Sequence, residues 1–508
     1  MVKIETEQNI EILRQVARLL WRENEALHER LRKLTAEKLK LQGADAQALQ
    51  LEIDQLQELL ARREREIFGV SSEKRPRPAS ETASEPAVPS GHGPREQKQL
   101  PIVEAVHELP EAEQSCPQCG HQMAEMGEQS EDYEEVTLIQ RSFQVVRHRR
   151  RKYRCQCNAS VVTAPGPARL IPGGRYSAEF AVEVAISKYL DHAPLERQVR
   201  IMAREGLTVT SQTLWDQIEA LAHHLQPSYE ALRPRVLTSP VVYADETHWR
   251  LMGQETETSR WWVWCVASEE AVFYRLLGSR STKAARSVLS GYRGIVLCDG
   301  YGAYESLARA GPEITLAHCW AHARRKFIEI EPEYPQACGE ILQLFGKLYA
   351  VEREAPRLGF PEAQEHLALR AKLREERSRP LIAQIYACAE DLRRKTLPRS
   401  ALGRATEYLL GMWKGLTRFL ENPRVPLDNN AAERALRGVV VGRKNHYGSR
   451  SKRGTEVAAL FYSLCETAKL AGVEPRSYLL EATRAALHKS GAVTLPHDLK
   501  TEPEDVAQ

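Results

Sequence analysis

Two acid-ending runs decide the fold, Val241-Val-Tyr-Ala-Asp245 and Ile295-Val-Leu-Cys-Asp299. Each places apolar residues, several of them β-branched, in an unbroken row, which is typical of a strand buried in a sheet. Similar runs cover residues 261–267, 271–277 and 314–317, and residues 281–290 carry a helical pattern. Residues 236–332 are therefore predicted to form an α/β sheet domain.

The order of these segments is typical of a ribonuclease H-like sheet: three strands, a helix, a strand, a helix and a strand. A carboxylate that directly follows a buried strand is held at the edge of the sheet where ligands bind. Asp245 and Asp299 are therefore candidate site residues. For Asp299, which precedes Gly300, a turn-capping role is the alternative.

A third acid comes much later in the chain, in Asp428-Asn-Asn-Ala-Ala-Glu433. Glu433 is predicted to begin a helix whose apolar face starts at Leu436. Two aspartates and a glutamate form an all-oxygen ligand set, which suits Mg²⁺ or Mn²⁺, and a pair of such ions supports phosphodiester chemistry. The alternative is a capping box led by Asn430, in which Glu433 only closes the first helical turn.

The N-terminal segment carries a heptad repeat. Leucine recurs at every seventh residue, at Leu13, Leu20, Leu27, Leu34 and Leu41. Asn24, on the same seam, is of the type that pairs across a parallel two-stranded coiled coil. Residues 1–70 are therefore predicted to make the protein a homodimer or higher homo-oligomer, and an amphipathic helix docked on its own chain is the alternative. Residues 71–100, rich in Pro, Ser, Glu and Gly, are predicted to be a disordered linker.

Four of the ten cysteines form two close pairs, Cys116-Pro-Gln-Cys119 and Cys155-Gln-Cys157. Two tight turns that each aim two sulfurs at one ion predict a Zn²⁺ site, which makes residues 101–168 a zinc-ribbon-like DNA-binding domain. The second pair lacks the usual two intervening residues, so His121 or His148 is an alternative ligand. Reduced structural cysteines without zinc are the other interpretation. The remaining six cysteines stand singly in apolar stretches and are predicted to be small buried residues.

The densest basic run of the chain lies between the two cysteine pairs. Its members are Arg147, Arg149, Arg150, Arg151, Lys152 and Arg154. Such a run is often only a solvated surface, but its place on a zinc ribbon favours contact with DNA phosphates.

Residues 169–235 carry a helix-turn-helix pattern. Helical stretches at 177–190 and 194–204 are followed by a turn containing Gly206 and by a helix that begins near Ser211 and Gln212. The second helix of this motif enters the major groove, so these two polar residues are candidate DNA contacts. A helical hairpin used only for packing is the alternative.

A second basic cluster follows Glu433. It comprises Arg434, Arg437, Arg443 and Lys444. Its density beside the proposed metal ligands favours binding of DNA phosphates, and pairing with nearby acids is the alternative.

The composition limits how DNA is held. Lysine and arginine total 71 against 68 aspartates and glutamates, a formal charge of +3, so DNA must be bound by local basic patches. No apolar stretch approaches the roughly 18 residues of a membrane span, and the start lacks the basic and apolar regions of a signal peptide. The local basic patches lead us to expect double-stranded DNA as a partner. The lack of a long apolar stretch leads us to expect no membrane partner.

The chain resembles the IS66 family of bacterial insertion-sequence transposases, from the coiled coil to about residue 480. The motifs that carry the resemblance are Ile67-Phe-Gly-Val-Ser-Ser-Glu-Lys74, Cys116-Pro-Gln-Cys-Gly120, Ala244-Asp-Glu-Thr247, Asp299-Gly-Tyr301, His318-Cys-Trp-Ala-His-Ala-Arg-Arg-Lys-Phe327, Asp428-Asn-Asn430 and Glu433-Arg434. The resemblance implies a DDE transposase in which Asp245, Asp299 and Glu433 bind the metal ions and a helical insertion separates the second aspartate from the glutamate. Cys319 and His322 match a Cys-x-x-His motif, for which a structural role is favoured over catalysis. The single residue between Cys155 and Cys157 departs from the spacing of many relatives.

These patterns predict a multidomain α+β protein with a coiled coil, zinc-ribbon-like and helix-turn-helix modules, and a ribonuclease H-like core. The predicted divisions are 1–70 coiled coil, 71–100 linker, 101–168 zinc ribbon, 169–235 helix-turn-helix, 236–332 first part of the core, 333–425 helical insertion, 426–487 glutamate-bearing helix and C-terminal helices, and 488–508 tail.

The expected activity is metal-dependent cleavage at insertion-sequence ends and strand transfer into target DNA, in the bacterial cytoplasm at the nucleoid, with companion proteins of the same element as further partners. A catalytically inactive DNA-binding regulator is the alternative from another class, against which the three intact acids argue. A ribonuclease H-like nuclease without strand transfer shares the metals and lacks only the joining step.

Overall fold

A computed structural model describes residues 142–154, 161–252, 260–311, 313–356 and 363–499, and single positions at 26, 29, 30, 33, 118 and 121. The chain divides into two units, residues 1–67 with 142–508, and residues 68–141. In the second unit the described residues are Gln118 and His121, both exposed. The cysteines predicted to bind zinc (116, 119, 155 and 157), the predicted linker at 71–100 and the leucines of the heptad repeat lie outside the described residues.

The predicted coiled-coil segment is described at four positions. Ala26, Glu29, Arg30 and Lys33 are helical and exposed, and Lys33 forms an ion pair of 3.1 Å with Glu29 one turn away. Dimerisation stays a prediction.

A short hairpin and three helices precede the main sheet. Strands β1 (Lys152–Arg154) and β2 (Val161–Thr163) pair antiparallel. The three helices are α1 (Ala178–Tyr189), α2 (Leu195–Arg204) and α3 (Ser211–Leu237). The hydroxyls of Ser177 and Thr210 cap the first and third helices by accepting backbone N–H bonds, as expected for N-cap residues.

Five strands form the main sheet: β3 (Val241–Arg250), β4 (Arg260–Ala267), β5 (Val272–Leu277), β6 (Gly294–Cys298) and β7 (Ile314–His318). Their spatial order is β5-β4-β3-β6-β7. The first three strands are antiparallel, and β3, β6 and β7 are parallel. Helices α4 (Thr282–Leu289) and α5 (Gly302–Ala310) provide the two crossovers of the parallel half.

After β7, residues 320–356 and 363–421 form seven α-helices. They are α6 (Trp320–Ile330), α7 (Pro335–Glu354), α8 (Gln364–Leu373), α9 (Arg379–Lys395), α10 (Ala401–Gly411), α11 (Trp413–Leu416) and α12 (Arg418–Glu421). A π-helical turn, Arg374–Ser378, joins α8 to α9. Arg374, which is 1% exposed, donates to both carboxylate oxygens of Glu352 and to the carbonyls of Phe419 and Asn422, and so ties this turn to α7 and α12.

Three further α-helices follow in the described part of the chain, α13 (Asn430–His446), α14 (Lys452–Leu470) and α15 (Pro475–His488), and a short 3-10 helix, Pro496–Leu499, comes after them. Helix α14 is buried along most of its length and covers the edge of β5. The hydroxyls of Ser463 and Thr467 accept the N–H groups of Tyr274 and Val272 at 2.9 and 3.1 Å. The helix therefore supplies the partners that an edge strand lacks.

The structure corrects two local predictions. Strand β3 does not end at Asp245 but continues to Arg250, because residues 243–250 pair with β4 after the parallel pairing with β6 has stopped at Tyr243. Glu433 does not begin its helix, which starts three residues earlier at Asn430.

Five of the six single cysteines are buried, and Cys388 is half-buried. No helix in the described part of the chain combines the length and the apolar composition that a membrane crossing requires.

Candidate active site

Asp245 and Asp299 leave the parallel part of the sheet at the same level. Tyr243 pairs with Leu297 in the last matched position of β3 and β6, and each acid lies two residues beyond its strand's member of that pair. The carboxylate of Asp245 accepts the N–H of Glu246 at 2.8 Å. Both acids therefore lie at the carboxyl edge of the parallel strands, where open α/β sheets bind ligands.

The segment after β6 is a tight turn that holds Asp299 in place. Gly300 has a φ of +85°, a conformation that favours glycine, and a Cβ there would lie 2.7 Å from the sulfur of Met412. The Asp299 carboxylate accepts the N–H of Tyr301 at 2.9 Å, and its backbone carbonyl accepts the hydroxyl of Tyr408 at 2.6 Å. Asp299 therefore has the turn-capping role that was the alternative from the sequence, and it uses one carboxylate oxygen, Oδ1, for it.

Glu433 is the fourth residue of α13, in its first turn, and is not the cap. The N-cap of α13 is Asn429, whose side chain makes no capping bond, and the N–H of Asn430 is accepted instead by Asp428 at 3.2 Å. The Glu433 N–H donates to the carbonyl of Asn429 at 3.2 Å, in the ordinary helical pattern. One carboxylate oxygen of Glu433 is buried and has no hydrogen-bond partner among the described residues. This geometry disfavours the capping-box alternative.

The charges of Asp299 and Glu433 both act on the carboxyl group of Asp245. Burial and, after it, the negative charges of Glu246, Asp299 and Glu433 together raise the pKa of Asp245 to about 7. Burial also raises the pKa of Asp428, which the charge of Arg434 lowers and that of Glu433 raises. Neighbouring carboxylates whose charges disfavour the ionised form of Asp245 are a setting in which a divalent cation lowers the free energy. The oxygen-only donor set and the unpartnered Glu433 oxygen fit Mg²⁺ or Mn²⁺.

A fourth acid, Glu246, was missed as a separate feature of the sequence. Its side chain has no exposed area and forms an ion pair of 2.6 Å with Arg280, and it accepts the hydroxyl of Tyr304 at 2.7 Å. The guanidinium of Arg280 lies 3.7 Å from the ring centroid of Tyr301 and 4.8 Å from that of Trp262. Because its charge is already paired, Glu246 is a supporting residue beside Asp245 rather than a free ligand.

Asn429 was also missed, although it stands within a quoted motif. Its side chain is fully buried, and its amide donates to the carbonyl of Ala244 at 2.9 Å. Its backbone N–H donates to the sulfur of Cys319 at 3.1 Å. Asn429 thus joins β3, the start of α6 and the start of α13.

Cys319 and His322 lie next to Glu433. Cys319 is the N-cap of α6, and its N–H donates to the carbonyl of Cys298 at 3.1 Å, which fixes the start of the helix beside Asp299. The Nε2 atom of His322 is 3.7 Å from the Oε1 atom of Glu433. The Cys-x-x-His motif, assigned a structural role from the sequence, is therefore part of the same site.

The predicted DNA-contacting residues lie apart from this acid cluster or at its margin. Arg434, Arg437 and Lys444 are exposed on α13. Arg443 is half-buried and donates to the Thr247 hydroxyl and the His248 carbonyl, so this arginine holds α13 against β3.

The residues of the first basic run are exposed, namely Arg147, Arg149, Arg150, Arg151, Lys152 and Arg154. Among them, Arg150 donates from Nε to the carbonyl of Ala164 at 2.6 Å. In α3, Ser211 is the first residue and Gln212 is exposed, with its amide bonded to Asp216 at 2.7 Å.

Comparison with known proteins gives the class of the molecule and then its family. Residues 113–158 match the zinc-finger binding domain of transposase IS66, and residues 173–457 match the family described as Transposase IS66 family. A zinc-finger domain followed by a transposase domain defines a transposase-type protein that binds DNA. The chain belongs to the IS66 family of transposases.

Two relatives come from Sinorhizobium fredii (strain NBRC 101917 / NGR234). The chain is 31% identical to "Uncharacterized protein y4jD" over 78% of its own length and 79% of the relative. It is 30% identical to "Uncharacterized protein y4qI" over 76% of its own length and 73% of the relative.

Proposed function

We propose that the protein is a DDE transposase that cuts DNA at insertion-sequence ends and joins the resulting 3′-hydroxyls to target DNA. The observation that supports this most is that the charges of Asp299 and Glu433 both act on the buried carboxyl group of Asp245, which lies at the carboxyl edge of the parallel strands. The strand order β5-β4-β3-β6-β7, three antiparallel strands followed by two parallel ones, supports a ribonuclease H-like core.

The three acids are proposed to hold Mg²⁺ or Mn²⁺. When bound, a pair of such ions activates the attacking water or 3′-hydroxyl and stabilises the leaving oxygen. Asp245 and Asp299 bind from two adjacent strands, so their separation is fixed by the sheet. Glu433 binds from α13, and its unpartnered oxygen is available for a ligand. Asp245, with its raised pKa, must lose any proton before it can bind a cation.

The remaining predicted residues are proposed to hold DNA. Arg434, Arg437 and Lys444 lie on the same helix as Glu433 and present cationic side chains to solvent, which suits phosphates on either side of the scissile bond. The basic run at 147–154, the zinc-finger domain and α3 with Ser211 and Gln212 are proposed to bind the insertion-sequence ends. Zn²⁺ is proposed to be held by Cys116, Cys119, Cys155 and Cys157, and the N-terminal coiled coil to bring two copies together.

Amide variants of the three acids test the proposal. Asp245→Asn, Asp299→Asn and Glu433→Gln keep the side-chain shapes but are poor Mg²⁺ ligands, so each variant should bind end DNA normally and lose cleavage and joining by more than about a hundredfold. Glu407→Gln, an exposed change on α10, is the control and should remain active. An active Glu433→Gln protein would remove that residue from the site and make Asp428 the next candidate.

The two alternatives separate in the same assay. A wild-type protein that binds ends but neither cuts nor joins in Mg²⁺ or Mn²⁺ would favour the DNA-binding regulator. A protein that cuts but fails to join precut ends would favour the nuclease.

A further inference from the structure

Cys319, His322 and Glu433 form a compact cluster of unlike metal ligands. One ligand atom from each of the three side chains lies within 4.8 Å of the other two. Cys319 is the N-cap of α6, His322 lies in its first turn, and Glu433 lies in α13, so the cluster joins two elements that are far apart in sequence. Cys319 is 2% exposed, and the other two residues are half-buried.

The sulfur of Cys319 lies where backbone N–H groups converge. It accepts the N–H of Asn429 at 3.1 Å. Burial raises the pKa of the Cys319 thiol to about 11, and the backbone N–H groups of Asn429, His322 and Ala321 offset part of that rise. N–H groups directed at a sulfur orient a metal ligand from its outer shell, and a bound cation would supply the positive charge that a buried thiolate requires.

The other two side chains have unused ligand capacity. Nδ1 of His322 and Oε1 of Glu433 are buried and lack hydrogen-bond partners among the residues that the structure describes. The 3.7 Å between His322 Nε2 and Glu433 Oε1 exceeds the length of a hydrogen bond. A polar cluster that is buried and incompletely bonded costs free energy unless something else binds to it.

We propose that Cys319, His322 and Glu433 form a binding site for one Zn²⁺ ion, separate from the cysteine site of the zinc-finger domain. One sulfur, one imidazole nitrogen and one carboxylate oxygen match the three protein ligands of an open tetrahedral zinc site. Sulfur and imidazole select zinc against magnesium. Binding displaces the thiol proton of Cys319 to solvent and forms the zinc–sulfur bond.

The shared glutamate gives this site a regulatory consequence. On the proposed function, Glu433 is a ligand of the catalytic Mg²⁺. An ion held by Cys319 and His322 takes the same carboxylate, so zinc and productive magnesium binding are mutually exclusive at Glu433. Zinc is therefore expected to inhibit DNA cleavage by withdrawing a catalytic ligand.

Metal content tests the site without any need for activity. Full-length wild type, Cys319→Ala, His322→Gln and the control Cys338→Ala, another buried cysteine, are equilibrated with Zn²⁺ and freed of loosely held metal. We expect wild type and Cys338→Ala to hold one more zinc per chain than the other two variants. Replacement of zinc by Co²⁺ should give a thiolate-to-cobalt absorption band that weakens in Cys319→Ala. Equal zinc content in all four proteins would overturn the site and leave His322 and Glu433 as an ion pair only.

Zinc titration of Mg²⁺-dependent cleavage tests the coupling. The zinc concentration for half-inhibition should rise by about tenfold or more in Cys319→Ala relative to wild type, whereas Cys338→Ala should match wild type. An unchanged value in Cys319→Ala would overturn the coupling. Absence of cleavage in wild type would instead count against the proposed function, and the zinc count would still decide whether the site exists.

Discussion

The side-chain amide of Asn429 donates a 2.9 Å hydrogen bond to the carbonyl of Ala244, the residue before Asp245. The backbone carbonyl of the same asparagine accepts the N–H of Glu433 at 3.2 Å. One fully buried residue thereby connects the strand that carries the first acid to the helix that carries the third. Asn429 is a positioning residue, because it contacts neither carboxylate and fixes the backbone beneath both.

Replacement of Asn429 should weaken both the fold and the alignment of the site. Asn429→Ala removes the donor to the Ala244 carbonyl, and Asn429→Asp replaces that donor by a second acceptor. Each change is expected to lower the unfolding free energy by about 1–3 kcal/mol. A small shift of Glu433 relative to Asp245 should also lower the cleavage rate by about a hundredfold with little change in DNA affinity. Urea unfolding and single-turnover cleavage measure the two effects, with Asn445→Ala on the same helix as the control. Equal cleavage rates in Asn429→Ala and wild type would show that the link to Ala244 does not position Glu433.

Loss of Arg280 should leave Glu246 as a buried acid without its ion-pair partner. The Glu246 side chain has no exposed area, and that of Arg280 is 33% exposed, so Arg280→Met is expected to cost about 2–3 kcal/mol, below the range for a fully buried pair. The loss should shrink at acidic pH, because burial already raises the pKa of Glu246 and the acid can take a proton. Arg309→Met, which removes an arginine that is 75% exposed in its ion pair with Glu305, should change stability by less than about 0.5 kcal/mol. A similar cost for the two variants would contradict the structural role of Glu246.

Exposed arginines of the basic run should contribute to DNA affinity through phosphate contacts. Arg149→Ala and Arg151→Ala should each weaken end binding and reduce the slope of log affinity against log salt by about one unit. Arg150, whose Nε donates to the carbonyl of Ala164, serves as the comparison, because its loss should also loosen the β1–β2 hairpin. Fluorescence anisotropy over a range of salt concentrations gives the slopes. Salt slopes equal to that of wild type would identify the run as a solvated surface.

Residues 10–67 should hold two chains together, because leucine at every seventh position and Asn24 on the seam favour a parallel two-stranded coiled coil. Light scattering should give a dimer or a larger oligomer for the full chain and a smaller mass per particle for a protein lacking residues 1–70. Asn24→Leu should raise the stability of the oligomer and relax its register. The same monomeric mass with and without the segment would reject the prediction.

The strands of the main sheet could be predicted because each depends on a local pattern, whereas the catalytic role of Asp245, Asp299 and Glu433 stays a prediction. Apolar runs mark strands wherever the strands pair, and an acid at the end of a run lies at the sheet edge by chain direction alone. The extension of β3 to Arg250 could not be predicted in this way, because residues 246–250 (Glu-Thr-His-Trp-Arg) contain one large apolar residue and depend on pairing with β4. The partners of Glu246 and the contact of His322 with Glu433 come from distant segments. These contacts form only in the folded chain, so they cannot be predicted from the spacing of residues in the sequence.

The raised pKa of Asp245 should make stability depend on pH in a defined direction. An aspartate in the unfolded chain ionises near pH 3.9, whereas burial raises the pKa of Asp245 to about 7 in the folded protein. Between these values the folded state keeps a proton that the unfolded state has released, so the stabilising contribution is complete below about pH 4 and is lost as the pH rises to about 7. Asp245→Asn does not lose stability in this way, because asparagine has no ionisable side chain. Its unfolding free energy relative to wild type should therefore increase by roughly 2–4 kcal/mol between pH 4 and pH 8 when no divalent cation is added.

Magnesium should remove much of this difference, because a cation that binds the ionised acids of the folded state restores wild-type stability at pH 8 and has less effect on Asp245→Asn. Urea unfolding at several pH values, with and without Mg²⁺, measures both effects. Asp191→Asn, at an exposed position after α1, is the control and should follow wild type throughout. The contrary result is a difference in unfolding free energy between Asp245→Asn and wild type that is the same at pH 4 and pH 8. Burial and the charges of Glu246, Asp299 and Glu433 would then not raise the pKa of Asp245. The electrostatic argument for a cation site at this sheet edge would fail.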